Sequence, residues 1–430
     1  MKEELTVLLL AGGKSSRFWP LTSKMTYIFM GKTFLERQVS LLKEVGFKNI
    51  IVVASSKIAQ RFASSTAEII VQQGEGQGAA ILSTAAKIAG KPLLVVNADD
   101  LVAKDLFLNL LTKIAGTHNL LVGYKTESYF PGGYLVLDGK KVARVHEKPG
   151  EGNTPSSFVK LVCDYFVSAD TLVRYLEKTD RSDPNRHYEN ALSEMMKQGE
   201  IFEMVEYSDS WLPLKYPWQT LDLMDDYLDQ IKVMQISKSA KVHKTASLIG
   251  PIVLGEHVRV MEYSKLVGPL YIGAGTIVGN HSMVRRSMIG ENAVIGFGCD
   301  VTRSFIGSDT WFHSNYIGDS VIGNHVAMGA GSILANLRLD EGDVYSNVKG
   351  ERISSGRNKL GAILGEGVRI GVGVRVMPGV KVGQNSVVGP GVILQEDLAD
   401  NKRCLVKQTH AFSENVISNV RDRSRFRNKL

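Results

Sequence analysis

The 430-residue sequence has few cysteines, few tryptophans and no long apolar run. A transmembrane helix requires about 20 consecutive apolar residues, and every apolar stretch here is interrupted well before that length. No membrane partner is therefore expected. The early segment "TVLLLAGG" is too short and too glycine-bounded for a signal peptide, so we expect a cytoplasmic protein.

Cysteine occurs only at Cys163, Cys299 and Cys404, which are far apart and form no CxxC pair. This spacing argues against a disulfide framework and against a cysteine-based metal site. We expect three reduced, unpaired thiols.

Acidic residues are outnumbered by basic ones, 44 to 51, which gives a formal net charge of +7. Much of the excess lies in the final segment "RDRSRFRNKL", where Arg421, Arg423, Arg425 and Arg427 crowd together. A solvated tail is one interpretation, and contact with phosphates of a ligand or a neighbouring subunit is the other. No nucleic-acid partner is expected, because no interleaved aromatic residues or binding motif accompany the run.

The first part of the chain, residues 1–230, alternates short apolar runs such as "LTVLLLAGG" with helical patterns such as "FLERQVSLLKEVGF". This alternation predicts an α/β Rossmann-like domain with a mostly parallel sheet and helices on both faces. Ligands of such sheets bind beyond the carboxyl ends of the strands, which is where "AGGKSSR" and "NADD" fall.

The second part, residues 236–407, repeats aliphatic–glycine steps about every six residues, as in "YIGAGTIV" and "VGPGVI". A hexapeptide period predicts a left-handed parallel β-helix in which one apolar side chain per repeat stacks inward. The segment "NLRLDEGDVYSNVKGERISSGRNK" interrupts the period, so a protruding loop or an irregular coil is expected there. Residues 408–430 are interpreted as a basic C-terminal tail.

The loop after the first apolar run combines Gly12 and Gly13 with Arg17 and Lys24. Backbone N–H groups freed by glycines at a strand end can form a concave site for phosphate oxygens. An arginine adds a planar charged fork, and a lysine adds a mobile point charge. A tight strand-to-helix turn without a ligand is the alternative interpretation.

The same segment, "LLLAGGKSSRFWPLTSK", followed by "GKTFLERQ", resembles the signature of the sugar-1-phosphate nucleotidylyltransferases. The resemblance implies that Gln72 reads the nucleobase, with Gly76 following it in "QQGEGQGAA". It covers essentially the whole first half of the chain.

Two later motifs match in the family's order. Asp99 in "VVNADD" resembles the first metal-binding aspartate of the family, and Glu147 and Lys148 in "HEKP" resemble the pair that contacts the sugar and its phosphate. The implied reaction is attack of a sugar-1-phosphate oxygen on the α-phosphorus of a nucleoside triphosphate, with loss of pyrophosphate.

Positioning and charge neutralisation would dominate this phosphoryl chemistry. The resemblance implies Mg²⁺ as cofactor, with Asp99 as a metal ligand. Arg17 and Lys24 would be the catalytic cations that neutralise the triphosphate.

Three departures from the family pattern make a weakened or inactive nucleotide-binding protein an alternative. Ser15 replaces the usual third glycine of the loop, and the segment between Arg17 and Lys24 is a few residues short. In "WLPLKYPWQTL" the position of the second metal-binding aspartate is Pro213, which has no side-chain ligand. The carboxylates that could substitute are Asp100 and Asp209.

A second candidate site lies in the repeats, where His313 and Tyr316 are followed by Asn336. Residues separated by whole coils of a β-helix stack above one another, so these three could share one cleft. Acyl transfer to an amine needs a base and hydrogen-bond donors for the oxyanion, and a neutral imidazole is a suitable base. The remaining β-helix histidines are interpreted as solvated corner residues: His243, His257, His281 and His325.

This stretch resembles the acetyltransferase half of the bifunctional N-acetylglucosamine-1-phosphate uridylyltransferases / glucosamine-1-phosphate N-acetyltransferases. The resemblance implies that His313 is the catalytic base and that Tyr316 and Asn336 contact the sugar phosphate. Arg303 falls near a phosphate-binding lysine of that family, and Lys359 resembles part of its acetyl-CoA surface.

The same resemblance implies acetyl-CoA as co-substrate and a homotrimer with the cleft shared between subunits. Gly342 and Tyr345 stand where relatives often have lysines, which leaves the sugar preference open. A β-helix that serves only for assembly is the alternative.

The leading hypothesis is therefore a bifunctional enzyme of nucleotide-sugar synthesis. Its second domain would acetylate an amino-sugar phosphate, and its first would activate the product with UTP or dTTP. The rivals are a non-catalytic nucleotide-sugar-binding regulatory or scaffold protein and a nucleotidylyltransferase with an inert β-helix.

Overall fold

A computed structural model describes residues 4–62, 67–114, 118–127, 129–415 and 427–429. The basic residues Arg421, Arg423 and Arg425 of the predicted tail lie outside the described residues. Within the described residues, no helix is long and apolar enough to cross a bilayer.

The first part of the chain forms a sheet covered by helices. The strands are β1 (Thr6–Ala11), β2 (Ile28–Phe29), β3 (Lys32–Thr33), β4 (Asn49–Ala54), β5 (Glu68–Val71), β6 (Leu93–Asn97), β7 (Asp100–Val102), β8 (Asn119–Lys125), β9 (Gly133–Asp138), β10 (Lys141–Glu147), β11 (Phe158–Phe166), β12 (Phe202–Tyr207) and β13 (Trp211–Pro213). The helices are α1 (Phe34–Val45), α2 (Ser56–Arg61), α3 (Gly76–Leu82), α4 (Ala85–Ile88), α5 (Lys104–Lys113), α6 (Ala169–Lys178), α7 (His187–Lys197) and α8 (Thr220–Asp229).

Nine of these strands make the main sheet, in the order β5-β4-β1-β6-β11-β8-β12-β10-β9. Seven of the nine share one direction, and only β10 and β11 run the other way. The carboxyl ends of β1, β5 and β6 therefore meet at one edge, as expected for an α/β ligand site.

The second part is built from short parallel strands on three faces. The first face comprises Gln235–Ile236, Ile252–Leu254, Leu270–Ile272, Met288–Ile289, Phe305–Ile306, Val321–Ile322, Ile363–Leu364 and Lys381–Val382. The second comprises Lys241–Val242, Arg259–Val260, Ile277–Val278, Val294–Ile295, Trp311–Phe312, Ala327–Met328, Arg369–Ile370, Val387–Val388 and Arg403–Cys404. The third comprises Ser247–Ile249, Lys265–Val267, Met283–Arg285, Asp300–Thr302, Tyr316–Gly318, Ile333–Leu334, Arg375–Val376 and Ile393–Leu394.

These three parallel sheets are consistent with the predicted left-handed β-helix, and the predicted fold class is confirmed. Most coils bury one apolar side chain per face, and residues such as Ile272, Ile289 and Ile306 stack in a continuous apolar column. This stacking is why the hexapeptide period is visible in the sequence.

The interruption of the repeat is a hairpin of Tyr345–Val348 and Glu351–Ser354. It lies against the body of the protein, because Val344 and Val348 are buried in the core cluster that also holds the first domain. The Ser346 hydroxyl donates to the Gly379 carbonyl at 3.0 Å.

The two parts of the chain pack directly against each other. Phe305 on the first β-helix face contacts Phe29, with ring centroids 5.3 Å apart. Arg286 donates to Asp225 at 2.8 Å and to both oxygens of Asp229 at 3.0 Å, which ties α8 to the coils. The loop that follows β1 also reaches the β-helix, where the Trp19 indole donates to Asp400 at 2.9 Å.

Candidate functional sites

The first site starts at the fully buried strand β1, which carries Gly12 and Gly13 out beyond the sheet. The Gln72 side chain lies so close to Gly12 that a Cβ there would be 1.8 Å from the Gln72 Oε1. Any larger residue at position 12 would displace the Gln72 amide from this place. Gln72 Nε2 in turn donates to the carbonyls of Gly74 and Gly76 at 3.1 and 3.0 Å. Gly12, Gln72 and Gly76 therefore lie together, and Gly13 faces open space.

Arg17 and Lys24 lie on two short 3-10 turns, Ser16–Phe18 and Lys24–Thr26. The exposed Arg17 guanidinium lies 5.8 Å from the centre of the Tyr216 ring. Ser15 holds a backbone φ of 52°, a left-handed conformation that glycine adopts more easily, so this substitution leaves the turn possible but less favourable.

Lys24 and Asp99 form a direct ion pair in a mostly buried position. The short segment after Arg17 therefore still brings Lys24 to the aspartate. Burial alone would raise the pKa of Asp99, but the Lys24 ammonium, helped by Lys215, holds that pKa below its usual value.

Both carboxylate oxygens of Asp100 accept hydrogen bonds from protein side chains. Trp211 Nε1 donates to Oδ1 at 2.8 Å, and Asn97 Nδ2 donates to Oδ2 at 2.9 Å. Burial and the neighbouring Asp99 raise the pKa of Asp100. Its role is to orient the end of the strand.

Pro213 lies opposite Asp100, because β13 pairs antiparallel with β7. The next N–H, of Leu214, donates to the Asp99 carbonyl at 2.8 Å. The segment "WLPLKYPWQTL" therefore reaches the Asp99–Asp100 corner, but position 213 supplies no side-chain ligand there.

The donor set fits Mg²⁺ through one protein carboxylate. Asp99 is suitable, Asp100 is hydrogen-bonded on both oxygens, and Asp209 is exposed and accepts from the Ser210 N–H at 2.7 Å. Among the described residues, no group of three or more His, Cys, Asp or Glu side chains could hold a metal ion. One carboxylate with phosphate oxygens and water is a set that Mg²⁺ accepts.

Lys215 is a residue of this site that the sequence reasoning missed. Its ammonium lies 4.2 Å from the centre of the Phe130 ring and 5.7 Å from that of Trp211. Burial lowers the pKa of Lys215, and the Asp100 and Asp99 carboxylates oppose that shift. A lysine two positions after Pro213 was the available signal in the sequence.

Glu147 and Lys148 end β10 next to the start of β9. Glu147 Oε2 lies 2.9 Å from the Cβ that Gly133 would carry, so this glycine leaves room for the carboxylate. Lys148 Nζ is 3.8 Å from Glu147 Oε1 and is largely exposed. The two residues are thus adjacent and open to a ligand.

A buried polar network behind this position was also missed. Lys160 Nζ and the Tyr188 hydroxyl each donate to Asp164 Oδ2 at 2.7 Å. The Lys160 and Asp164 side chains are only 3% and 0% exposed, so the network supports the fold of β11 against α7 rather than binding a ligand directly.

The second site brings three of its predicted residues together on the third β-helix face. The Tyr316 hydroxyl donates to Asn336 Oδ1 at 3.4 Å. Arg303 makes a two-pronged contact with Asp319, with Nε and Nη2 at 2.7 and 2.8 Å from the two carboxylate oxygens. Asn336 Nδ2 also donates to Asp319.

Asp319 is therefore the residue that links Arg303 to Asn336, and the sequence reasoning did not single it out. Its side chain is 4% exposed, so it orients the two others from below. Lys359 is exposed and lies beside Asn336. It forms an isolated β-bridge with Leu337, and the N–H of the next residue, Leu360, donates to the Asn336 carbonyl at 3.0 Å.

His313 lies on the corner that follows Trp311–Phe312, with an exposed side chain. Its backbone N–H donates to Asn315 Oδ1 at 2.8 Å. The imidazole makes no hydrogen bond to any residue in the described ranges. Within this chain, hydrogen bonds connect Arg303, Tyr316 and Asn336, whereas the His313 ring is exposed to solvent.

Comparison with known proteins was consistent across both parts of the chain. The model of the MobA-like NTP transferase domain matches residues 7–239, and the bacterial transferase hexapeptide repeat matches residues 361–395. A bifunctional sugar-1-phosphate nucleotidylyltransferase/acetyltransferase of Sulfurisphaera tokodaii is 32% identical over 409 residues, which covers 92% of this chain and 98% of the relative.

Two archaeal relatives described as bifunctional protein GlmU are slightly more distant. That of Methanococcus maripaludis is 29% identical over 406 residues and that of Methanocaldococcus jannaschii 29% over 409 residues. The matches cover 92% of this chain in both cases, and 95% and 96% of the relatives.

Proposed function

Because the chain belongs to the bifunctional sugar-1-phosphate nucleotidylyltransferase/acetyltransferase family and carries a MobA-like NTP transferase domain, we propose that it makes a nucleotide-sugar. The first domain transfers a nucleotidyl group from UTP or dTTP to a sugar-1-phosphate and releases pyrophosphate. The observation that carries this proposal is the direct Lys24–Asp99 ion pair at the carboxyl edge of the sheet.

The residues around that pair have complementary roles in the proposed reaction. Gly12 and Gly13 offer backbone N–H groups to phosphates, and Gln72 pairs with the edge of the base. Arg17 and Lys24 neutralise the triphosphate, and Glu147 and Lys148 bind the sugar and its phosphate. In this proposal residues 1–230 are the nucleotidyltransferase domain, residues 236–407 are the β-helix domain, and residues 408–430 are the basic tail.

Asp99 would hold Mg²⁺, which when bound neutralises phosphate charge. Lys24 is then free to leave the carboxylate and contact the phosphates. Because only one protein carboxylate is available, the chain's own cations carry more of the neutralisation than in a site with two acidic ligands.

The β-helix carries the second proposed activity, N-acetylation of an amino-sugar-1-phosphate by acetyl-CoA. Arg303, Tyr316 and Asn336 hold the sugar phosphate, and Lys359 contacts the CoA side. His313 removes the amine proton as the new amide bond forms and CoA leaves as the thiol. The exposed imidazole is consistent with a cleft that a neighbouring subunit completes in a homotrimer. The proposed location of the enzyme is the cytoplasm.

Two separate assays test the two activities. Purified protein with a sugar-1-phosphate, UTP or dTTP and Mg²⁺ is expected to release pyrophosphate. With glucosamine-1-phosphate and acetyl-CoA it is expected to release free CoA, and His313→Ala is expected to abolish that release. Normal turnover by His313→Ala would refute the base assignment.

Pro213 favours a second candidate, a regulatory or scaffold protein that binds nucleotide-sugars without turnover. Calorimetric binding of UTP or UDP-sugar with no product in either assay would support it. Pyrophosphate release without CoA release would instead support a nucleotidylyltransferase with an architectural β-helix.

A further inference from the structure

Lys215 is a cation of the first site that is held by aromatic rings. Its Nζ rests 4.2 Å from the centre of the Phe130 ring and 5.7 Å from that of Trp211, and forms no ion pair with a carboxylate of the described residues. Aromatic faces attract an ammonium without neutralising its charge. These ring contacts therefore leave the ammonium able to bind an anionic ligand.

The charges around Lys215 leave an excess of positive charge at this edge of the sheet. The Asp99 carboxylate is paired with Lys24, and both Asp100 oxygens accept hydrogen bonds from neutral groups. Arg17 adds another cation, and Pro213 adds no anion. A partly buried ammonium next to other cations is costly unless an anion enters the site.

Backbone hydrogen bonds fix the Lys215 main chain beside the corner that carries Asp99. Leu214, the preceding residue, donates its N–H to the Asp99 carbonyl at 2.8 Å. The Lys215 N–H and the following Tyr216 N–H both donate to Gln219 Oε1, at 2.7 and 2.8 Å. The lysine backbone is therefore held on both sides, so its position is set by the fold.

We propose that Lys215 binds phosphate oxygens in the first site. A second acidic residue would help to hold a metal ion there, and the Lys215 ammonium supplies positive charge in place of that ion. The inference rests on the proposed nucleotidyl transfer and deepens it. The ligand class is a phosphate ester, either the nucleoside triphosphate or the sugar-1-phosphate. Triphosphate binding should then persist without a divalent metal.

The test is calorimetric titration of the full-length protein in EDTA, with UTP, dTTP and glucose-1-phosphate as separate ligands. Because it removes a charge-assisted hydrogen bond, Lys215→Gln is expected to weaken binding of the affected ligand at least about tenfold. Lys215→Arg keeps the charge and is expected to keep measurable binding. Lys87→Gln, at a surface pair with Glu68, is the matched control and is expected to bind like the wild type.

The ligand that loses affinity identifies which phosphate Lys215 serves. A loss confined to UTP and dTTP assigns it to the triphosphate, and a loss confined to glucose-1-phosphate assigns it to the sugar phosphate. Equal affinity of Lys215→Gln and wild type for every ligand would overturn the proposal, provided that thermal melting shows both folded. A loss of affinity in Lys215→Gln together with no pyrophosphate release by the wild type would refute the transferase proposal but support Lys215 as a phosphate-binding residue.

Discussion

At the scale of single residues, the first site depends on how its charges are paired. Lys24 and Asp99 neutralise each other in an ion pair, so the fold avoids the cost of two mostly buried charges without partners. In the proposed reaction, an incoming triphosphate would take the lysine while a cation takes the aspartate. The ion pair would thus keep both groups in place until substrate arrives.

Lys24→Met is therefore expected to lower pyrophosphate release by about 100-fold or more, because it removes a cation that acts on developing phosphate charge. The measurement is kcat/KM for sugar-1-phosphate with UTP and Mg²⁺. Lys87→Met, on the surface, should leave that value within about twofold. An active Lys24→Met would show that Lys24 is only a structural partner of Asp99.

Asp319 has a comparable position in the second site, where one buried carboxylate holds two predicted ligand residues. Asp319→Asn keeps the shape but loses the charge that orients Arg303. We expect KM for glucosamine-1-phosphate in the CoA-release assay to rise about tenfold or more, with a smaller change in kcat.

The matched control is Asp309→Asn, whose carboxylate is exposed and lies 3.9 Å from His325 on a neighbouring coil. It should leave KM unchanged. If kcat fell with KM unchanged in Asp319→Asn, Asp319 would act in the chemical step rather than in positioning Arg303 and Asn336.

At the scale of elements, the β-helix is a stack in which successive backbones approach closely at the corners. A Cβ on Gly279 would lie 2.8 Å from the carbonyl carbon of Gly296 in the next coil. Backbone atoms cannot move aside as a flexible side chain can. The glycine at this corner is therefore a packing requirement between coils.

Gly279→Ala is expected to destabilise the protein by about 1–3 kcal/mol, the usual cost of overpacking. The measurement is the thermal unfolding midpoint, followed by circular dichroism. Gly342→Ala is the control, since the nearest atom to its added Cβ would be 3.6 Å away. An unchanged midpoint for Gly279→Ala would mean that the coils separate easily at this corner.

The elements also explain which sequence predictions succeeded. Glycine and aliphatic periodicity identified the coils because each repeat has the same local surroundings. The sequence predicted a protruding loop or an irregular coil at "NLRLDEGDVYSNVKGERISSGRNK", whereas the structure has a hairpin packed on the core. Its packing depends on Gly379 and other distant residues, which no local pattern records.

At the scale of the whole molecule, the two domains form one packed body. Aromatic packing of Phe29 on Phe305 and the Arg286 pairs with α8 join them, and the loop of Arg17 reaches the β-helix through Trp19. The position of the loop after β1 is therefore supported partly by the second domain. If this loop binds phosphates as proposed, changes in the coils are expected to affect nucleotide binding without touching the nucleotide.

Arg286→Ala removes one of the main polar links between the domains. Because its two acidic partners are partly exposed, we expect a loss of about 1 kcal/mol in stability, and a smaller loss in high salt. The measurement is the thermal midpoint at low and high ionic strength. Arg186→Ala, at an exposed pair with Asp183, is the control and should change the midpoint little.

A midpoint of Arg286→Ala that equals the wild type in both salts would show that apolar packing alone joins the domains. A large loss that salt does not reduce would show that the arginine contributes through its buried stem rather than its charge.

The sequence by itself determined the two fold classes, because these depend on periodicity that is local in the chain. It also predicted Gly12, Gly13, Arg17 and Lys24 as the phosphate-binding residues, and that assignment stays a prediction. It also identified Pro213 as the missing acidic position. Only the tertiary structure decided that Lys24 reaches Asp99, that Lys215 rests on the Phe130 ring, and that Asp319 joins Arg303 to Asn336. Each of these is a side-chain contact that local sequence patterns do not record, and such arrangements exist only after the chain has folded.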